Sequence, residues 1–166
     1  MIRRIFIISD THFGHENILK FKDSEGAYLR HFDSVDDMND CMVSNWNDVI
    51  SEQDIVYHLG DVFCNGGHSC LKHLNGRKRL ILGNHDNAKS QQLQKHFQKI
   101  MMWRMFPEYN LVLTHVPIII PDMARFTHNV HGHIHSNPSP TPFHINVSVE
   151  AIGYTPVDIE SINTGE

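Results

Sequence analysis

Along the first two thirds of the chain, short apolar runs recur, and each gives way to a polar cluster. Ile5-Phe6-Ile7-Ile8 is continuous rather than alternating, which predicts a strand covered on both faces. Three similar runs follow. Ile55 to Leu59 leads into Gly60-Asp61, Arg79 to Leu82 into Gly83-Asn84-His85-Asp86, and Leu111 to Leu113 into Thr114-His115. Each predicted strand thus delivers polar residues at its C-terminal end. Between them, Met38, Cys41, Met42, Trp46 and Val49 fall at helical spacing behind a capping Ser34, predicting a helix over 35–50, and a second is expected over 88–99. Strand and helix in alternation predict βαβ units, with ligands beyond the carboxyl ends of the strands. The pattern changes after Pro117. Residues 129–135, a Pro-rich loop over 138–142 and the alternating Ile145-Asn146-Val147-Ser148-Val149 read as short strands joined by loops.

Neither a repeat nor a boundary interrupts the 166 residues, so a single domain over 1–166 is expected, long enough to hide roughly 70% of its unfolded surface. With 40% apolar and 20% charged residues the composition is that of an ordinary globular protein. A formal net charge of −5 argues against an extensive nucleic-acid surface, which needs clustered Lys and Arg. The short run Arg77-Lys78-Arg79 reads as a solvated turn before a buried strand. Three cysteines, Cys41, Cys64 and Cys70, do not make a disulfide framework and fit a reducing cytoplasm. The apolar start is too short for a signal-peptide core, and no apolar run approaches the ~18 residues of a membrane span, so no membrane partner is expected.

The 14 histidines change the picture most, because imidazole is the commonest metal ligand. Asp10, His12, Asp61, Asn84, His115, His133 and His135 collect at the predicted strand ends. This mixture of carboxylate, amide and imidazole suits Mn²⁺, Fe²⁺, Ni²⁺ or Zn²⁺ and lacks the thiolates of a structural zinc site. Seven ligands exceed one tetrahedral ion but suit two ions sharing a carboxylate. Asp61, in the middle, is the natural bridge, since each of its oxygens can take one metal. His58 reads as a ligand contact or a core residue and, with His15 and Asn17, as lining for a substrate pocket. His131 alternates with His133 and His135 as a competing ligand, whereas Cys64, His68, Cys70 and His73 read as free side chains more readily than as a zinc clip.

The ordered blocks Asp10-Thr-His12, Gly60-Asp61, Gly83-Asn84-His85-Asp86, Thr114-His115 and Gly132-His133-Ile-His135 resemble the calcineurin-like metallophosphoesterase superfamily, in its small single-domain bacterial or phage form. The resemblance spans residues 5–149. It implies a four-layer α/β/β/α sandwich of two mixed sheets flanked by helices, and two divalent ions, Mn²⁺ foremost. Asp10, His12 and His135 would hold the first ion, Asn84, His115 and His133 the second, with Asp61 bridging. His85 becomes the candidate acid and Asp86 its orienting partner. The implied activity is hydrolysis of phosphomonoesters or phosphodiesters, nucleotides among them, by in-line attack of a hydroxide shared by two ions roughly 3.5–4 Å apart. The alternative is a non-catalytic metal-binding interaction domain on the same fold. Residues 101–107 and 117–126 are expected to shape the pocket for a small phosphorylated substrate, and activity to fall as pH drops through about 6, where histidine ligands protonate.

Overall fold

The computed structural model describes residues 3–23, 25–120 and 125–162, and shows an α/β protein of two mixed sheets with few helices. The first sheet has the order β4-β3-β2-β1-β9. Its strands β1 (Ile5–Ile8), β2 (Ile55–His58), β3 (Arg77–Ile81) and β4 (Lys99–Met101) are parallel, and β9 (Val157–Asp158) runs antiparallel at the edge. The second sheet has the order β5-β6-β7-β8, from β5 (Arg104–Phe106), β6 (Leu111–Leu113), β7 (His128–His131) and β8 (His144–Asn146). Strands β6, β7 and β8 are parallel.

Period-two alternation divides the core. Phe6 and Ile8 of β1 point to one side, with Val56 and Leu80, and meet the helical layer. Ile7, Tyr57 and Ile81 point to the other and pack on Phe106, Leu111, Leu113 and Val130 of the second sheet. The first sheet is therefore apolar on both faces, as its continuous runs predict. Helix α1 (Val35–Val49) starts where Ser34 accepts a hydrogen bond from the Asp37 N–H, and buries Met38, Met42 and Trp46 at four-residue spacing. Helix α2 covers only Gln91–His96, capped by Ser90, rather than all of 88–99, because residues 99–101 extend the first sheet as β4. After β4 the described residues hold only 3-10 turns, so no α-helix among them forms the outer layer expected over the second sheet.

Two further expectations change. Arg77-Lys78-Arg79 is not a turn but the first half of β3; Lys78 is buried and donates to the Leu74 and Gly76 carbonyls, and Arg79 donates to the Tyr57 hydroxyl. The stretch 145–149 is not one strand of one sheet. It leaves β8 at Asn146 and crosses over: Val147 donates to His131 and accepts from Ser9, and Val149 donates to the Ser9 carbonyl. Ser9 and Ser148 form a parallel bridge. No described helix is long and apolar enough to cross a membrane.

Candidate metal centre

Strands β1, β2 and β3 of the first sheet and β6 and β7 of the second all release their chains toward one edge, and every expected ligand lies in those exits. The exits are laced together. Asp10 N–H donates to the Gly60 carbonyl, His12 N–H to Asp61, Gly132 N–H to His115, and His133 N–H to the Asp10 carboxylate. The glycines of the sequence blocks exist for this closeness. A Cβ on Gly132 would collide with Ser9 Oγ and Asp10 Oδ2, and one on Gly83 with Asp61 Oδ1. The ligand backbones are also bent. Asp10, His12, Asp61, His133 and His135 have φ of 59°, 46°, 57°, 71° and 50°, a left-handed conformation unfavourable for side chains with a Cβ.

Two groups of metal-ligating side chains result: Asp10, His12 and His135, and Asp61, His115 and His133, each with ligand atoms within 4.8 Å of one another. Asn84 joins the second, its Oδ1 2.8 Å from His115 Nε2 and 2.9 Å from His133 Nδ1. Asp61 Oδ2 stands between the groups, 3.6 Å from His12 Nε2 and 3.5 Å from His115 Nε2. All seven expected ligands are thus brought together.

The hydrogen bonding fits a cation. His115 Nδ1 lies 2.7 Å from the Leu59 carbonyl, which can only accept, so Nδ1 carries the proton and Nε2 offers a lone pair. That lone pair faces Asn84 Oδ1 and Asp61 Oδ2, two acceptors, an arrangement that a positive charge reconciles. In the first group, Asp10 Oδ1 and both ring nitrogens of the buried His12 have no hydrogen-bond partner. Buried polar atoms without partners are rare and costly. Burial, with Arg30 nearby, lowers the His12 pKa to about 2, leaving a neutral imidazole, the form that binds metal. Burial also raises the Asp61 carboxyl, helped by the charges of Asp10 and Asp86 and opposed by the His85 N–H.

Three expectations are corrected in role. Asp86 does not orient His85: its carboxylate accepts the N–H groups of Asp61 (2.8 Å), Val62 (3.1 Å) and Gly83 (2.8 Å), clamping two ligand loops. His58 lines no substrate pocket. It is 1% exposed, its Nδ1 accepts from Gly60 N–H, and its Nε2 meets Thr11 Oγ1, whose own proton goes to the Val62 carbonyl. Asn17 is exposed and accepts from Lys20, and joins neither ligand group. His15 caps the turn Glu16–Lys20 through Nδ1, with its ring 5.6 Å from that of His12. His131 is buried in β7, its Nδ1 on the Gly132 carbonyl, and joins neither group. His85 is exposed, its ring 5.7 Å from His12 and its N–H on Asp61 Oδ1.

Sequence reasoning missed Arg30 and Glu150. Arg30 is 1% exposed; it donates to the carbonyls of Asp10 (2.6 Å) and Thr11 (2.9 Å) and to Glu150 Oε1 (2.7 Å). Glu150 Oε1 in turn takes His135 Nδ1 at 3.0 Å, leaving His135 Nε2 for the first group. Burial pushes the His135 imidazole down, but the hydrogen bond and charge of Glu150 outweigh it and hold it raised. Glu150 follows the last alternating apolar residue directly, a weak signal; nothing around Arg30 marks it.

No model of a known protein family matches the chain. A Methanocaldococcus jannaschii protein, the uncharacterized protein MJ1445, is 35% identical over 97% of this chain and 90% of its own length. The chain belongs to the MJ1445 family. Gene 66 protein of Mycobacterium phage L5 is similar at 24% identity, over 77% of this MJ1445-family chain and 75% of the phage protein. The crystal structure of AQ665 from Aquifex aeolicus, described as a protein of unknown function, aligns with a TM-score of 0.76 at 27% identity, over 97% of this chain and 98% of its own.

Proposed function

We propose that this chain is a phosphoesterase of the calcineurin-like metallophosphoesterase type, acting on phosphomonoesters or phosphodiesters with two divalent ions, Mn²⁺ foremost. The observation that carries the reading is Asp61 Oδ2, 3.6 Å from one imidazole of the first group and 3.5 Å from one of the second, which is where a carboxylate shared by two ions belongs. Asp10, His12 and His135 would hold one ion, Asn84, His115 and His133 the other. Such a pair supplies Lewis acidity: it polarises phosphate oxygens, lowers the pKa of water and offsets charge developing at phosphorus.

The chain's own residues do the rest. Asp86 and the glycine contacts fix the loops that carry Asp61 and Asn84, and Glu150 with Arg30 fixes the tautomer of His135. His85, exposed, with its ring 5.7 Å from that of His12 and its N–H tethered to Asp61, would give a proton to the departing oxygen. The sandwich architecture of that superfamily belongs to the same reading; the two-sheet core and the single edge of ligand loops support it.

The test is turnover of a panel of phosphomonoesters and phosphodiesters by Mn²⁺-loaded protein, with metal content measured alongside. Turnover that Asp61→Asn abolishes together with metal supports the proposal. Two bound ions and no turnover of any ester would favour a metal-binding interaction domain instead.

A further inference from the structure

Beside the second ligand group lies a cleft of about 870 Å³, within the roughly 300–1,000 Å³ usual for small-ligand sites. Asn84 and His115 are among its lining, so a group seated in the cleft lies beside anything those residues hold. Met102 and Trp103 also line it, 67% and 59% exposed. These two residues are the whole connection between β4, the edge of the first sheet, and β5, the edge of the second. Two neighbouring large apolar side chains exposed to this extent are unusual on a protein surface. Val112, Ile118 and Phe126 add apolar lining. Asp86 also borders the cleft, but its carboxylate oxygens are taken by three backbone N–H groups.

We infer that this cleft binds a planar aromatic ring carried by the phosphoester, stacked on the Trp103 indole while the phosphate lies at the ligand groups. This rests on the phosphoesterase reading and names the substrate class for it. A flat ring matches a cleft lined by an indole and a thioether, since aromatic faces and sulfur both favour such contacts. The backbone of the link is held between two sheets, so the platform is fixed before the ligand arrives.

The experiment is calorimetric binding of benzylphosphonate and methylphosphonate, neither of which can be hydrolysed, to the Mn²⁺-loaded protein. The expected result is about tenfold tighter binding of the benzyl compound. Trp103→Ala should erase that preference and Trp103→Phe keep most of it, with methylphosphonate affinity unchanged in both. Equal affinities for the two compounds, or a benzyl preference that survives Trp103→Ala, would overturn the aromatic site alone. Failure of both phosphonates to bind would overturn the phosphoesterase reading and the aromatic site with it.

Discussion

His12 is an imidazole buried with no partner for either nitrogen, a state that costs folding free energy unless a cation restores what water has lost. Its neighbour His135 is the opposite case, with Nδ1 held by Glu150. Because Glu150 raises His135 above the ordinary 6.5, the ring keeps its proton to higher pH and competes with metal there. Metal affinity should therefore begin to fall on acidification above pH 6.5, earlier than unperturbed histidines would predict. Glu150→Gln should lower the plateau affinity roughly 10–100-fold and move the midpoint of the pH dependence down, measured by Mn²⁺ titration across pH. An unchanged midpoint would remove Glu150 from control of His135. At His85 the expectation is a kcat loss of about 10²–10⁴-fold in His85→Ala with both ions retained. Full activity would exclude the residue from proton transfer. Asp10, His12, Asp61, Asn84 and His115 were legible in the sequence because each follows an apolar run, whereas His133 and His135 follow the polar β7 and were legible from the Gly132-His133-Ile-His135 block. The Arg30–Glu150 pair was not, because 120 residues separate its members.

Among the elements, the loops matter more than the helices for the site. Ser34→Ala should cost about 1 kcal/mol by removing the cap of α1, and leave metal binding unchanged, because that helix packs on the far face from the second sheet. Gly132→Ala should do the reverse: its new Cβ meets Asp10 Oδ2 and Ser9 Oγ, so metal content should drop before the melting temperature reports a fold-wide loss. Metal analysis and thermal melts on both variants check the contrast. Parallel strands and α1 were legible from apolar periodicity. Three short pieces were not: β4, β5 and β9 span two or three residues each and each includes a charged one, so they show neither a period nor an apolar run such as that of β6. The charged start of β3 misled for a physical reason, since Lys78 and Arg79 lie within the sheet by donating to carbonyls and to a tyrosine hydroxyl.

For the molecule as a whole, buried neutral histidines set the response to acid. Burial lowers the pKa of His58 from 6.5 to about 3 and that of His12 to about 2. Both are depressed, so the stability they contribute is present above 6.5 and is lost as pH falls toward those values. Metal-free protein should show a melting temperature that declines steadily as pH drops below 6.5; a flat profile would contradict the buried neutral assignment. Residues 144–149 also bond the two sheets to each other, first to β7 and then to Ser9 after β1. Sliding one sheet along the other would have to strip those bonds first. The spacing of the two ligand groups is thus inherited from the scaffold, and cations of different size would have to adapt to one fixed gauge rather than reset it.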